Sequence, residues 1–186
     1  MFYKNLFVLF TLTLSFSDAV AKDKVLVIYY SRSGSTALMA REIAKHYKAD
    51  VVKVTAEKYP DTFFGNRAAS SDAWDEKEKV KIKYSKFKIA KYDKVFIGSP
   101  IWWYRPAVPL WQLVHDTAFK KKKVILFNTF NSKFKKEHIQ KFRKLLKSKN
   151  AAWAGHLYVR RGRITWQISE KELIEKNRAL LKEKKY

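Results

Sequence analysis

Val25-Leu26-Val27-Ile28-Tyr29-Tyr30-Ser31-Arg32-Ser33-Gly34-Ser35-Thr36 is the stretch whose reading decides the fold. Its first half is apolar and partly β-branched, which suits a buried strand. It stops abruptly in small, mostly hydroxylated residues, and a helical pattern begins at Ala37. A buried strand that runs through a tight loop into a helix N-terminus makes an anion site. The loop's N–H groups point at the ligand and the helix dipole adds partial positive charge. Gly34 permits a turn that a side chain would hinder, while Ser31, Ser33, Ser35 and Thr36 supply hydroxyl donors. The loop lacks the Gly-Lys-Ser/Thr ending of a nucleoside-triphosphate loop and the spaced glycines of a dinucleotide site. It suits one terminal phosphate. Arg32 adds a cation that either pairs with that phosphate or projects into solvent.

A second stretch, Ile97-Gly98-Ser99-Pro100-Ile101-Trp102-Trp103, repeats the plan of apolar strand and loop, now with paired tryptophans. The first stretch resembles the phosphate loop of flavodoxin-like proteins, where the FMN phosphate sits against a Ser/Thr-rich turn after the first strand. The second resembles the second flavin-binding loop of the same family, in the branch that carries Pro-Ile-Trp-Trp. The resemblance runs from Lys24 to the last helix. It implies FMN as cofactor, with Ser31, Arg32, Ser33, Gly34, Ser35 and Thr36 at the phosphate and Pro100, Ile101, Trp102, Trp103 and Tyr104 at the ring. One tryptophan is expected to stack on the flavin and the other to pack inward.

A third loop, Asn128-Thr129-Phe130-Asn131-Ser132-Lys133, departs from the family pattern, which has a Gly-rich turn there; this chain has no Gly in it. Asn128, Thr129, Phe130 and Asn131 complete the expected site. Phe130 would be a second wall and Asn128 or Asn131 would bond the ring edge, unless these side chains partly fill the pocket. Tyr104 likewise stands where the branch often has Gly. Arg105 adjoins the second loop and Lys133 the third, and neither loop holds a carboxylate. Such surroundings favour the reduced, more negative state of a flavin, the reverse of the acidic setting typical of flavodoxins.

Around these loops, strand and helical patterns alternate. Strands are expected at 50–56, 94–99, 123–127 and 151–159. Helices are expected from Ala37 to Lys48, about 67–79, 108–116, 135–147 and 169–185, the last with Ser169 and Glu172 as a capping box. Arg160-Arg161-Gly162-Arg163 breaks the fifth strand. Five such alternations give an α/β fold, a flavodoxin-like doubly wound five-stranded parallel sheet of order 2-1-3-4-5 with helices on both faces. Ligand is then expected at the switch point between the first and third strands, where the two principal loops meet.

The chain has 186 residues and no Cys, which excludes disulfides and thiolate metal sites. Lys4, the apolar run Leu6–Phe16 and the small residues Ala19-Val20-Ala21 match a secretory signal peptide. Residues 1–21 are therefore expected to be removed after Ala21, leaving a flavodoxin-like domain at 22–186 in the periplasm or outside the cell. Lys4 and Asp18 cancel, so the domain keeps the whole net charge of +23. That field either attracts acidic proteins or anionic membrane surfaces, or keeps a basic surface soluble. A nucleic-acid partner lacks any accompanying motif.

The four histidines fall on separate elements, and no Gly-x-Ser-x-Gly elbow exists. No side chain is assigned a catalytic role; a flavin would carry the redox step. The expected function is an exported FMN protein that moves electrons to or from a redox partner protein or a quinone-like small molecule. The alternative is a flavodoxin-like domain without FMN that binds anionic partners through its basic surface.

Overall fold

Every residue of β1 (Val25–Tyr30) is buried. Its side chains divide in alternation: Leu26, Ile28 and Tyr30 join one core, and Val25, Val27 and Tyr29 join another. A strand covered by helices on both sides has to do this, which is why it reads as a continuous apolar run. The computed structural model describes residues 23–163, 165–184 and 186. The segment expected to target the chain, residues 1–21, lies outside the described residues.

β1 pairs in parallel with β2 (Asp50–Val54) on one side and with β3 (Lys94–Trp102) on the other. A short β4 (Arg105–Pro106) turns back antiparallel on the end of β3. Beyond β3 lie β5 (Lys123–Phe130) and β6 (Ala152–Arg160), both parallel to their neighbours. The order β2-β1-β3-β5-β6 is the expected doubly wound one, with β4 off the path. A two-stranded hairpin, β7 (Gly162–Arg163) with β8 (Trp166–Gln167), follows β6.

Helix α1 (Ser35–Tyr47) buries Leu38, Met39, Ala40 and Ile43 on one face of the sheet. α2 (Phe63–Trp74) starts where the Thr62 side chain accepts a hydrogen bond from Gly65 N–H at 3.2 Å, four residues before the expected start. α3 (Val108–Asp116) and α4 (Lys136–Ser148) cover the second face with Leu110, Trp111, Phe142 and Leu146. α5 (Glu170–Glu183) returns to the first face beside α1. Its cap is the expected one, with Ser169 Oγ accepting from Glu172 N–H at 3.1 Å. The buried Asn177 of α5 donates to Met39 O at 3.1 Å, which ties α5 to α1.

Gly98 fixes how β3 meets β5. A Cβ there would lie 2.2 Å from the ring of Phe127, its register partner, so the fully buried ring occupies the volume a side chain would need. Gly98→Ala is expected to cost about 2–3 kcal/mol through overpacking. Phe127→Leu in the same chain should recover part of that cost. Urea midpoints of the two single variants and the double variant check the coupling; simple addition of the two losses would show that ring and Cβ do not compete.

Candidate functional site

A cleft of about 620 Å³ opens at the carboxyl ends of β1, β3 and β5. Its floor and walls come from the loop after β1, the turn after β3, the end of β5, one side of α2 and the β7–β8 hairpin. Ser31, Arg32, Ser33, Ser35 and Thr36 line one part of it. α1 begins at Ser35, two residues before the expected start. Leu38 N–H is bonded to Gly34 O at 3.0 Å, so Ser35, Thr36 and Ala37 have N–H groups with no carbonyl partner within the helix. These donors and the Ser hydroxyls sit at the positive end of the helix dipole.

Gly34 caps this turn with φ 94°, and an added Cβ would meet nothing within 4 Å. The glycine is therefore required by backbone conformation and not by lack of space. Arg32 is largely sequestered. Its Nη1 lies 3.6 Å from Asp61, and its buried Nε has no partner. Thr36 Oγ1 and Thr129 Oγ1 are hydrogen bonded at 2.7 Å, in the interior, which binds the first loop to the end of β5.

Pro100, Ile101, Trp102, Trp103 and Tyr104 line the cleft as a group. Trp102 packs inward, edge-on to Tyr30 and Tyr59 with centroids 5.6 and 5.2 Å away. Trp103 turns outward and meets Trp74 of α2. Trp103 and Tyr104 form the two-residue turn between β3 and β4, with φ 43° and 68°. A turn of this kind normally takes Asn-Gly, which accounts physically for a Gly at the position of Tyr104 in related loops. Tyr59, behind Trp102, donates to the buried Asp72 at 2.7 Å. Burial alone would raise the Asp72 carboxyl, but hydrogen bonds from Lys58, Lys77 and Tyr59 outweigh it and hold the pKa at about 2.

The third segment corrects the sequence reading. Asn128, Thr129 and Phe130 belong to β5, which runs three residues further than expected. Thr129, Phe130 and Asn131 reach the cleft, whereas Asn128 is fully buried beneath it. The Asn128 amide donates to Ser99 O at 2.7 Å, and its Oδ1 lies 2.8 Å from His156 Nε2. That arrangement assigns the proton to Nε2 and leaves Asn128 unable to bond a ring edge.

The charges around the cleft also differ from expectation. Arg105 does not line it; the residue is fully buried, donates to Lys77 O at 3.0 Å and stacks on Trp111. Lys133 does line it, together with Arg161 and Arg163 of the terminal hairpin. Arg161 N–H bonds Phe130 O at 2.7 Å, which swings the hairpin over the cleft. The run Arg160–Arg163 was the available signal in the sequence, since it follows the carboxyl end of the last strand, on the side of the sheet where ligand is expected. Among the described residues, no carboxylate lines the cleft. Ala69 of α2 also lines the cleft, and Asn66 and Ser70 beside it are lining residues that the sequence did not single out.

A doubly wound sheet with a Ser-rich helix start and an aromatic turn at its switch point defines a flavodoxin-type protein. A flavodoxin family model matches residues 24–170, and the chain belongs to that family. No curated protein matches it. Among solved structures it is similar to a flavoprotein from Lactobacillus acidophilus in complex with FMN, at 24% identity and a TM-score of 0.64, covering 73% of this chain and 93% of that one. It is similar to a Bacteroides eggerthii protein described as a flavoprotein, at 26% identity and a TM-score of 0.65, covering 86% and 96%. General stress protein 14 of Treponema denticola, in complex with FMN, shares the fold at 14% identity and a TM-score of 0.53, covering 86% and 96%.

His156 gives the fold a pH dependence. Burial, with a smaller contribution from Lys184, lowers its pKa from 6.5 to about 4. Between those values the unfolded chain binds a proton that the folded chain refuses, so this contribution is full above pH 6.5 and is lost as pH falls towards 4. The loss amounts to at most about 3 kcal/mol. Asp72, with its pKa lowered from 3.8 to about 2, acts in the next window down. Urea midpoints at pH 7, 5 and 3 should show His156→Gln flattening the 7-to-5 slope while the 5-to-3 fall persists. An unchanged upper slope would assign it to another group.

Proposed function

We propose that the cleft holds FMN and that the protein is an exported electron-transfer flavoprotein serving a redox partner protein or a quinone-like or other oxidised small molecule. One observation carries the reading: a helix-start donor set and an aromatic turn share a single cleft, lined by cations and, among the described residues, by no carboxylate. A volume of about 620 Å³ is within the range of small-molecule and cofactor sites. The N–H groups of Ser35, Thr36 and Ala37 with the hydroxyls of Ser31, Ser33 and Ser35 suit a phosphate, and the unpartnered Arg32 Nε adds a buried donor beside it. Trp103, Tyr104 and Phe130 offer apolar faces to a flat ring, and Trp102, packed on Tyr30 and Tyr59, lines the same cleft. The family membership and the FMN complexes of structural relatives support the same cofactor. Bound FMN supplies one- and two-electron transfer; the chain's part is to seat, wall and polarise it. The signal-like pattern of residues 1–21 supports export.

Titration of the protein with FMN should quench flavin fluorescence at micromolar concentration. Absence of quenching would overturn the reading and favour the domain as a cofactor-free binder of anionic partners. Gly34→Val, which cannot keep φ 94° without strain, should weaken FMN far more than riboflavin, because riboflavin has no phosphate to seat. Equal weakening of both would place the phosphate elsewhere.

The field in the cleft predicts the potential. A unit charge ~10 Å away at an effective dielectric of ~40 interacts by about 0.8 kcal/mol. For one electron this corresponds to ~35 mV on the scale of 59 mV per tenfold change. Lys133→Gln and Arg161→Gln should each lower the midpoint potential by about that amount at low salt. Spectroelectrochemical titration checks it, and potentials unmoved by both cleft variants would show that the cations face away from the flavin.

A further inference from the structure

Most of the large apolar side chains that remain exposed gather near the mouth of the cleft. Among the described residues these are Phe63, Phe64, Trp74, Trp103 and Trp166; Val51 on β2 and Tyr158 on β6 are exposed elsewhere. The five near the mouth sit on segments that line the cleft. Phe63, Asn66, Ser70 and Trp74 fall on one stripe of α2 at helical spacing, and the middle two are lining residues. Trp103 meets Trp74 with centroids 4.8 Å apart, which joins α2 and the β3–β4 turn into one aromatic ridge. Trp166, 84% exposed, stands on the hairpin whose Arg161, Arg163 and Thr165 face the cleft. Exposed apolar surface concentrated in this way marks a contact site.

The chemistry of its partner follows from charge and shape. In a protein of net charge +23, the lining among the described residues holds Arg32, Lys133, Arg161 and Arg163 and no acid, and Asp61, which pairs with Arg32, lies outside it. The partner is therefore anionic. The rings stand at the start of α2, on the ridge that Trp74 and Trp103 form, and on the β7–β8 hairpin, with cations of the cleft between them. Indole and phenyl groups so placed match the headgroup level of a bilayer, where an apolar body and nearby Arg or Lys are satisfied together. We propose that the mouth of the cleft docks on an anionic phospholipid surface, rings at headgroup depth and Lys133, Arg161 and Arg163 against lipid phosphates. A cleft docked in this way opens towards the bilayer, so that a lipid-soluble reactant reaches it without crossing water. The docking stands on the surface geometry and not on the flavin reading.

Flotation with vesicles of phosphatidylglycerol and phosphatidylcholine tests it with the full chain. Residues 1–21 are apolar in part and common to every variant, so the comparison is between variants of one chain. The parent chain should float with anionic vesicles and much less with pure phosphatidylcholine, and brominated lipids should quench its tryptophan fluorescence. Phe63→Ser with Trp166→Ser should lower partitioning about tenfold and lose much of the quenching. FMN titration should be unchanged in that variant, since neither residue lines the cleft. Arg163→Glu should also weaken partitioning, about fivefold or more. Partitioning unaffected by the aromatic variant would overturn the proposal. So would an equal, aromatic-dependent binding to soluble polyglutamate, which would identify an acidic protein surface as the partner.

Discussion

The structure depends on one reversal of winding. β1 hands the chain to β2 on its left through α1, on one face of the sheet, and the chain then crosses to β3 on the right of β1. From there it proceeds through α3 and α4 on the opposite face. Right-handed crossovers permit this only if the loops after β1 and β3 diverge to opposite sides. The carboxyl ends of these strands are thus left uncovered, and a cleft follows from connectivity before any side chain is chosen. The residues then give it character: N–H groups from a helix start on one side, rings from a strained turn on the other, cations from the hairpin after β6.

Such an opening would weaken the sheet if its strand ends frayed. They are tied by buried polar bonds instead. Thr36 meets Thr129, Asn128 meets Ser99 O and His156, and Ser99 Oγ accepts from Ala107 N–H. Each bond contributes on the order of 1 kcal/mol, yet losing one partner strands the other at a cost of about 1–3 kcal/mol. The rim is therefore held less by the strength of any one bond than by the penalty for breaking it. Arg105 plays a related part lower down, packed on Trp111 with only one of its nitrogens bonded to Lys77 O.

Much of this was legible in the sequence, and the exceptions have physical reasons. β1, α3 and the order of the sheet were readable because burial on both faces leaves an unbroken apolar run and amphipathic helices leave a 3.6-residue period. The end of β5 was not, because Asn128 and Thr129 look like loop residues until their buried partners, on β3, β6 and α1, are known. α2 starts early because its cap, Thr62, precedes two phenylalanines whose exposure contradicts their hydropathy. The β7–β8 hairpin was read only as an interruption, since strands of two residues carry no periodicity. Arg105 was misplaced for a related reason: adjacency in sequence to an aromatic loop does not say to which side of β4 a side chain points.

The Trp103-Tyr104 turn has a consequence for recognition. Two bulky L-residues at positive φ carry a strain of roughly 1–3 kcal/mol each. The pairing of Ile101 and Trp102 with Pro106 and Arg105, and the bond from Lys135 N–H to Tyr104 O at 2.9 Å, hold them there. A glycine turn would relax the backbone but present no ring. Because the distortion is already met when the chain folds, the aromatic wall stands in place before anything enters the cleft. Association then forfeits little conformational entropy at this edge, and the turn acts as a preorganised surface.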